Sequence, residues 1–471
     1  MTSSVFTLTR RSFVASIFAA SIVGGHARAR PLRPQSFNLH AASSMVALLG
    51  ENKPKTSVWS YNGEIPGPIL RLPQGAQFHA VLKNNMPQAT SIHWHGIRKI
   101  RPEMDGVPGL GARPIAPGEN FDYSFEVPDA GTFWYHPHLN GREQLGRGLF
   151  GALIVEEENP PIVDREEVWI FADWRLDQKT GQQIEDFVDK HDAAHAGRIG
   201  ETVTLNHTVP KVWKVRAGER VRLRLINAAV ARIFKLSITG HNPQVIALDG
   251  QPVSPYQPEN EAIILAPGER TDIILDMMGD LGSRHTILDS YYPQDNRHIM
   301  DLVYSADKPI RDRPLTSSVV LRNNPLPELN LPNAIKFKIA FDGGAMGQLP
   351  AVDAAAHEEG KAVGFWAING VIAMNHNVPP LLEVKQGATV LFDMVNLTRW
   401  DHPIHLHGHH FRILSRDGKP DPIMPWKDTI LLRPDERAEI AFVAETPGDW
   451  MVHCHILAHQ ETGMMGTIKV I

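Results

Sequence analysis

Apolar and polar residues alternate with period two along three well-separated stretches of the chain. They are YNGEIPGPILRLPQGAQFHAVLKNN (61–85), LNHTVPKVWKVRAGERVRLRLINAA (205–229) and INGVIAMNHNVPPLLEVKQGATVLFDMVN (368–396). Each starts near an Asn, passes a Pro and an alternating run, turns at a Gly, and closes a second alternating run near another Asn. Such alternation predicts strands with one buried face. Related blocks follow downstream: PGENFDYSFEVPDAGTFWYHPH (117–138), PGERTDIILDM (267–277) and RPDERAEIAFVAETPGDWMVHCH (433–455). Three copies at domain-sized spacing predict an all-β chain of three similar β-sandwiches, not a short-period solenoid. The Pro-rich ENPPIVDREE and DKPIRDRPL put boundaries near residues 158 and 312, giving domains 30–158, 159–311 and 312–471.

Length and composition agree with that division. At about 150 residues per domain, a chain of 471 accommodates three. The 42% hydrophobic content lets each bury a core, and 37 Gly and 36 Pro suit short strands and turns. Residues 1–29 read as an export segment: TRRSFVASIFAASIVGG pairs Arg10 and Arg11 with an apolar run too short and too rich in Ser and Gly to span a bilayer. The paired arginines followed by Ser and Phe look like a twin-arginine signal, with Ala27–Ala29 as the cleavage site. Removing the segment moves the net charge from −5 to −8, which disfavours nucleic acid as a partner. The expectation is a periplasmic monomer, exported folded by the twin-arginine machinery and not stably inserted in the membrane.

The copies differ in their histidines. The first carries HWHG (His93, His95) and HPH (His136, His138); the third carries HPIHLHG (His402, His405, His407) and HCHILAH (His453, His455, His459). The middle copy has FKLSITGH where the others have SIHWHG and HPIHLHG, so it is expected to hold no metal ligands. Positions i and i+2 of a strand share a face and i+1 points away. His93 and His95 therefore project together, as do His136 and His138, His405 and His407, and His453 and His455. His402 faces the other side, and so does Cys454, the only cysteine. A lone thiol has no intrachain disulfide partner.

One strand can thus serve two metal sites. Cys454, His459 and Met464 are spaced five apart in a loop-like stretch that His402 can join. Two His, one Cys and a weak axial Met suit a blue-copper electron-transfer site, with Met465 the weaker alternative. The opposite side receives His93, His95, His136, His138, His405, His407, His453 and His455. Eight imidazoles suit three coppers holding two, three and three, whereas zinc hydrolases use fewer His together with carboxylates. Packing explains any single His-x-His pair more readily than metal binding does; it does not explain four clusters and a flanked cysteine together. His409 and His410 are expected to be core groups rather than ligands, and His191, His195 and His207 to be solvated.

At these residues the sequence resembles the multicopper oxidases, the family of laccases, bilirubin oxidases and cuprous oxidases. HWHGIR…MDGVPG, DAGTFWYHPH and EQLGRGLFGALIVEE look most like its bacterial three-domain members, and the likeness runs from YNGEIPGPIL to TGMMGTIKV. The resemblance implies three cupredoxin-like Greek-key sandwiches and four copper ions. It assigns His402, Cys454, His459 and Met464 to type 1 copper and His93 and His405 to type 2. One type 3 copper takes His95, His136 and His455; the other takes His138, His407 and His453. The implied reaction is one-electron oxidation of a donor through the edge of His459 or His402. Electrons then pass by Cys454 to His453 and His455 and reduce O2 to water.

Three rivals remain in view. A copper-free binding protein on this fold needs lost ligands, and none is lost. A copper nitrite reductase has no use for paired type 3 histidines. Periplasmic cuprous or manganese(II) oxidases share the ligands, but cuprous oxidases carry a Met-rich segment, and the 14 methionines here are dispersed. A laccase-like preference for phenols or aromatic amines is therefore expected, with Trp400, Trp426 and Asp401 as pocket candidates. Reduction of O2 also needs protons. By the resemblance, a Glu usually follows the last type 1 histidine in bacterial members, where this chain has Gln460, then Glu461. Asp105, in the MDG that follows the first histidine motif, matches the family's other acidic position. It is the expected relay, with Glu461 as helper.

Overall fold

The computed structural model describes residues 35–316, 319–347 and 364–471. The export segment expected at 1–29 lies outside the described residues. Among the described residues, no helix is long and apolar enough to cross a membrane.

Strands form six sheets that fall into three pairs with one repeated wiring. In each pair one sheet opens with a parallel match: Gln35–Val46 with Gln77–Asn84, Arg165–Trp174 with Arg220–Asn227, and Ile335–Gly343 with Thr389–Asn396. An antiparallel partner follows each time: Asn120–Glu126, Arg270–Asp276 and Arg437–Val443. The facing sheets repeat as well. His93–His95, Phe234–Ile238 and His402–Leu406 each lie antiparallel to the next strand of their sheet, Gly131–His136, Arg284–Asp289 and Gly448–Cys454. The fold is all-β, three cupredoxin-like sandwiches. The middle strand FKLSI holds the topological position that carries histidines in the outer copies.

Alternation decides the layering. Gln77–Asn84 buries Phe78, Ala80 and Leu82 and leaves the intervening side chains half-buried or exposed. One continuous apolar core runs from Leu39 and Trp94 of the first copy to Phe392, Ile404 and Val452 of the third, while the middle copy packs largely around its own core of Trp169, Phe171, Leu223 and Tyr304. Burying apolar surface contributes about 25 cal/mol per Å². The first and third copies are therefore joined by the same effect that folds each of them, and their histidine strands are held face to face.

Candidate metal centres

The strand Gly448–Cys454 is the hinge of both centres. It pairs with His402–Leu406 so that Ile404 lies opposite Cys454 and His405 opposite His453. On one side Cys454 Sγ sits 3.5 Å from His402 Nδ1 and 3.6 Å from His459 Nδ1. The two Nδ1 atoms are 3.1 Å apart. His459 rides on a short helix, Leu457–Glu461, not the loop expected. The chain then returns through Met464, which is fully buried, donates its N–H to the His459 carbonyl at 2.9 Å and accepts from Cys454 N–H at 3.1 Å.

On the other side the remaining eight imidazoles converge. His93, His95 and His136 bring ligand atoms within 4.8 Å of one another, as do His93, His405 and His407, and His138, His407 and His453. His455 packs 5.1 Å from His95 and 5.2 Å from His136, ring centre to ring centre.

Hydrogen bonds set the tautomers. A carbonyl oxygen only accepts, so each ring nitrogen bonded to one carries the proton and leaves the other nitrogen bare. His93 Nδ1 donates to the Asp105 carbonyl, His136 Nδ1 to Pro137, His405 Nδ1 to Asp428 and His453 Nδ1 to Cys454, at 2.9 to 3.0 Å. His459 reverses the choice: its Nε2 donates to the His195 carbonyl at 2.7 Å and leaves Nδ1 bare beside the thiol. Carboxylates do the same for two more. His407 Nδ1 donates to Asp105 Oδ2 at 2.8 Å and His95 Nε2 to Asp428 Oδ1 at 3.1 Å.

The bare nitrogens of His93, His95, His136 and His405, and both nitrogens of His455, are buried without hydrogen-bond partners. His407 Nε2 and His453 Nε2 are 3.0 Å apart, two lone pairs that repel unless a cation lies between them. The residues fit copper on both sides.

Electrostatics agree. Burial and neighbouring imidazoles hold His95, His136, His138, His402, His407, His453 and His455 well below the usual histidine range, and burial takes His459 down to about 3. All are neutral at pH 7 and able to ligate. Burial pushes the Cys454 thiol up, and a coordinated cation inverts that preference by stabilising the thiolate.

Local backbone positions the acids. The helix Pro102–Asp105 ends at Gly106 with φ 83°, where a Cβ would lie 1.8 Å from the Ile92 carbonyl oxygen. Only glycine closes the turn that sets Asp105 under both His93 and His407. Asp105 Oδ1 lies 3.3 Å from His93 Nδ1 and has no hydrogen-bond partner. Glu461 pairs with Arg142, Nε to Oε2 2.6 Å. With His138, His376, Gln460 and Met465 it lines a cavity of about 340 Å³.

The sequence reading missed Asp428 and Arg270. Arg270, from the middle copy, grips Asp428 with both NH groups at 2.8 and 2.6 Å, and Asp428 in turn holds His95 and His405. The only signal was indirect: RVRLRLIN and PGERTDIILD place charges on predicted strands, and charges there need buried partners. His195 is not the solvated residue expected from the sequence. Its ring is half-buried and its carbonyl caps His459, because the Lys190–Ala194 helix folds over the thiolate side. His409 and His410 are buried beside the cluster and bonded to protein groups. Trp426 lines a different cavity, with Leu326 and Pro327, and Asp401 accepts from Tyr291 Oη at 2.8 Å.

Multicopper oxidase family models match residues 43–160, 165–306 and 350–471. The multicopper oxidase MmcO of Mycobacterium tuberculosis is 30% identical over 455 residues, covering 89% of this chain and 84% of its own. Among solved structures, a multicopper oxidase from Pseudomonas thermotolerans is 32% identical with a TM-score of 0.81, covering 93% of this chain and 100% of its own. One from Campylobacter jejuni, described as a metallo-oxidase, is 26% identical with a TM-score of 0.77, covering 94% and 93%. The chain belongs to the multicopper oxidase family. It is a copper-dependent oxidoreductase that uses O2 as electron acceptor.

Proposed function

We propose that the chain is a laccase-like oxidase holding four copper ions. The mononuclear type 1 site takes His402, Cys454, His459 and Met464. His93 and His405 hold type 2 copper; His95, His136 and His455 hold one type 3 ion and His138, His407 and His453 the other. Copper supplies one-electron chemistry at the first site and four-electron reduction of O2 to two waters at the cluster.

The protein's own contribution is orientation and exclusion of water. One observation carries the reading: Cys454 and His453 are consecutive residues whose side chains reach two different buried ligand sets. A few covalent bonds therefore connect the centres. Backbone carbonyls and Asp428 keep the ligating nitrogens bare and aimed. Asp105 Oδ1 is the proposed proton-relay atom, being buried, partnerless and 3.3 Å from His93 Nδ1, while Oδ2 accepts from His407. Glu461, held by Arg142 on the cavity wall next to His138, is the helper.

The substrate reading is phenols or aromatic amines, supported by the absence of a Met-rich segment in the sequence. A second reading, cuprous or manganese(II) oxidation, is favoured by the metallo-oxidase description of the Campylobacter relative. Turnover and O2 uptake across a panel of phenols, aromatic amines, Cu(I) and Mn(II) separate them; a kcat/KM for Cu(I) above that for every organic donor rejects the laccase-like reading. The remaining parts of the proposal are a twin-arginine signal over 1–29, domains at 30–158, 159–311 (without copper ligands) and 312–471, a periplasmic location and a monomer. N-terminal sequencing of the exported protein and sedimentation test them.

A further inference from the structure

Neither imidazole expected to receive electrons reaches solvent. His402 and His459 are fully buried. His402 Nε2 lies 2.8 Å from Thr398 Oγ1, and His459 Nε2 is spent on the His195 carbonyl. A donor cannot touch either ring edge, so the direct route expected from the sequence is closed.

The Trp366 ring packs on His459 at 4.1 Å, and a segment of the middle copy covers its Nε2 and is pinned. Trp366 Nε1 donates to the Ala193 carbonyl and Ala345 N–H to the Ala194 carbonyl, both at 2.7 Å. Arg175 clamps Asp192 in the same helix at 2.6 and 2.8 Å. The cover is a fixed wall.

Aromatic rings meet at this wall. His191 and His195 stack at 4.0 Å with 14° between planes. Trp400 meets His195 at 5.3 Å and 72°, its indole N–H donating to the Ala345 carbonyl at 3.2 Å. His191 is exposed; His195 and Trp400 are half-buried. Met346, next to Ala345, is 78% exposed. His195 Nδ1 donates to the His191 carbonyl at 2.7 Å, which leaves Nε2 an acceptor. Two near-perpendicular ring planes make a corner in which a third aromatic ring can stack on one and meet the edge of the other, the geometry ring quadrupoles favour.

We propose that the corner of His191, His195 and Trp400 docks an aromatic electron donor, a phenol or aromatic amine, and that its electron reaches His459 through the His195 main chain and carbonyl hydrogen bond. This rests on the laccase-like reading and names where that substrate class binds. His195 Nε2 accepts a hydrogen bond from the donor's O–H or N–H. A phenol leaves as its phenoxyl radical, having lost one electron to the mononuclear centre, where copper(II) is the oxidant, and one proton to water. Four such oxidations match the four electrons and four protons that turn O2 into two waters.

The test is the double variant His191→Ala/His195→Ala, which keeps the carbonyl that caps His459. Binding of 1,2,3-trimethoxybenzene, a probe without a phenolic O–H, is measured by calorimetry on copper-loaded and copper-free protein. Anaerobic bleaching of the blue band is timed with 2,6-dimethoxyphenol and with hexacyanoferrate(II). Losing two ring contacts should weaken probe binding about tenfold in both forms of the protein. It should slow bleaching by the phenol at low concentration, while bleaching by hexacyanoferrate(II) and reoxidation by O2 stay close to wild type. His195→Phe, which keeps an aromatic wall, should retain probe binding. The single variant His191→Ala, altering only an exposed ring, carries the same measurement if the double variant folds poorly. Unchanged probe binding overturns the proposal, and so does equal slowing with both donors, which would mark the wall as structural only. A clear preference for Cu(I) in the substrate panel, with probe binding still dependent on these rings, rejects the laccase-like reading and leaves the docking site standing.

Discussion

Cys454 and His453 are adjacent in one strand and serve opposite sides of it. Cys454 Sγ lies 3.5 Å from His402 Nδ1, and His453 Nε2 lies 3.0 Å from His407 Nε2. The period of a strand makes this arrangement unavoidable once both residues are buried between packed sheets. Cys454→Ser should therefore abolish the intense blue absorption of the thiolate–copper bond while copper remains at the cluster. Absorption spectra with metal analysis check this; a blue serine variant would sink the assignment.

Asp105 touches His407 and His93 and keeps one oxygen without a partner. Asp105→Asn preserves the shape and removes the proton-carrying group. Reoxidation by O2 should slow by roughly 10²–10⁴-fold, the usual loss for a general acid, while reduction of the blue centre by substrate stays near normal. Stopped-flow recovery of the blue band separates the steps, and unchanged recovery rejects the relay. Gln460→Glu, which adds a carboxyl to the cavity wall that Glu461 and His138 line, should not slow recovery.

Arg270 is the only bidentate partner of Asp428 among the described residues, and both are buried. Arg270→Met leaves a buried carboxylate uncompensated and should destabilise the fold by about 3–5 kcal/mol. Arg270→Met with Asp428→Asn should recover part of that loss, because the charge goes with its partner. Denaturant midpoints of wild type, the two single variants and the double variant give the answer; additive losses would show that the pair is not coupled.

Buried imidazoles sit below their ordinary range in the absence of metal, among them His95, His136, His138, His402, His405, His407, His409, His453, His455 and His459. Unfolding frees them to bind protons near their ordinary pKa of about 6.5. Below that pH the unfolded chain holds more protons than the folded one. Stability of the copper-free protein should thus be full above about pH 6.5 and fall as the pH drops through 6 and 5. Bound copper stabilises the folded state by mass action, so the loaded protein should hold its midpoint to lower pH. Guanidinium titrations of both forms between pH 7.5 and 5 decide it; identical slopes would contradict the linkage.

Much of this protein was legible in its sequence. Alternation in 61–85, 205–229 and 368–396 was enough for three sandwiches, since a period of two has one physical meaning in a half-buried strand. The His-x-His and His-Cys-His motifs were enough to separate a thiolate side from an imidazole side, because adjacent strand residues cannot share a face. These are local properties, carried by neighbours in the chain. What spans hundreds of residues was decided only in three dimensions. Arg270 meets Asp428, Asp105 meets His407, and the His195 carbonyl meets His459 across separations of 158, 302 and 264 residues. No local pattern encodes such pairs. They arise when sheets of different copies pack and each buried polar group must find a partner or remain unsatisfied. The middle copy carries none of the ligands expected from the sequence, yet it supplies both the arginine that grips Asp428 and the carbonyl that caps His459.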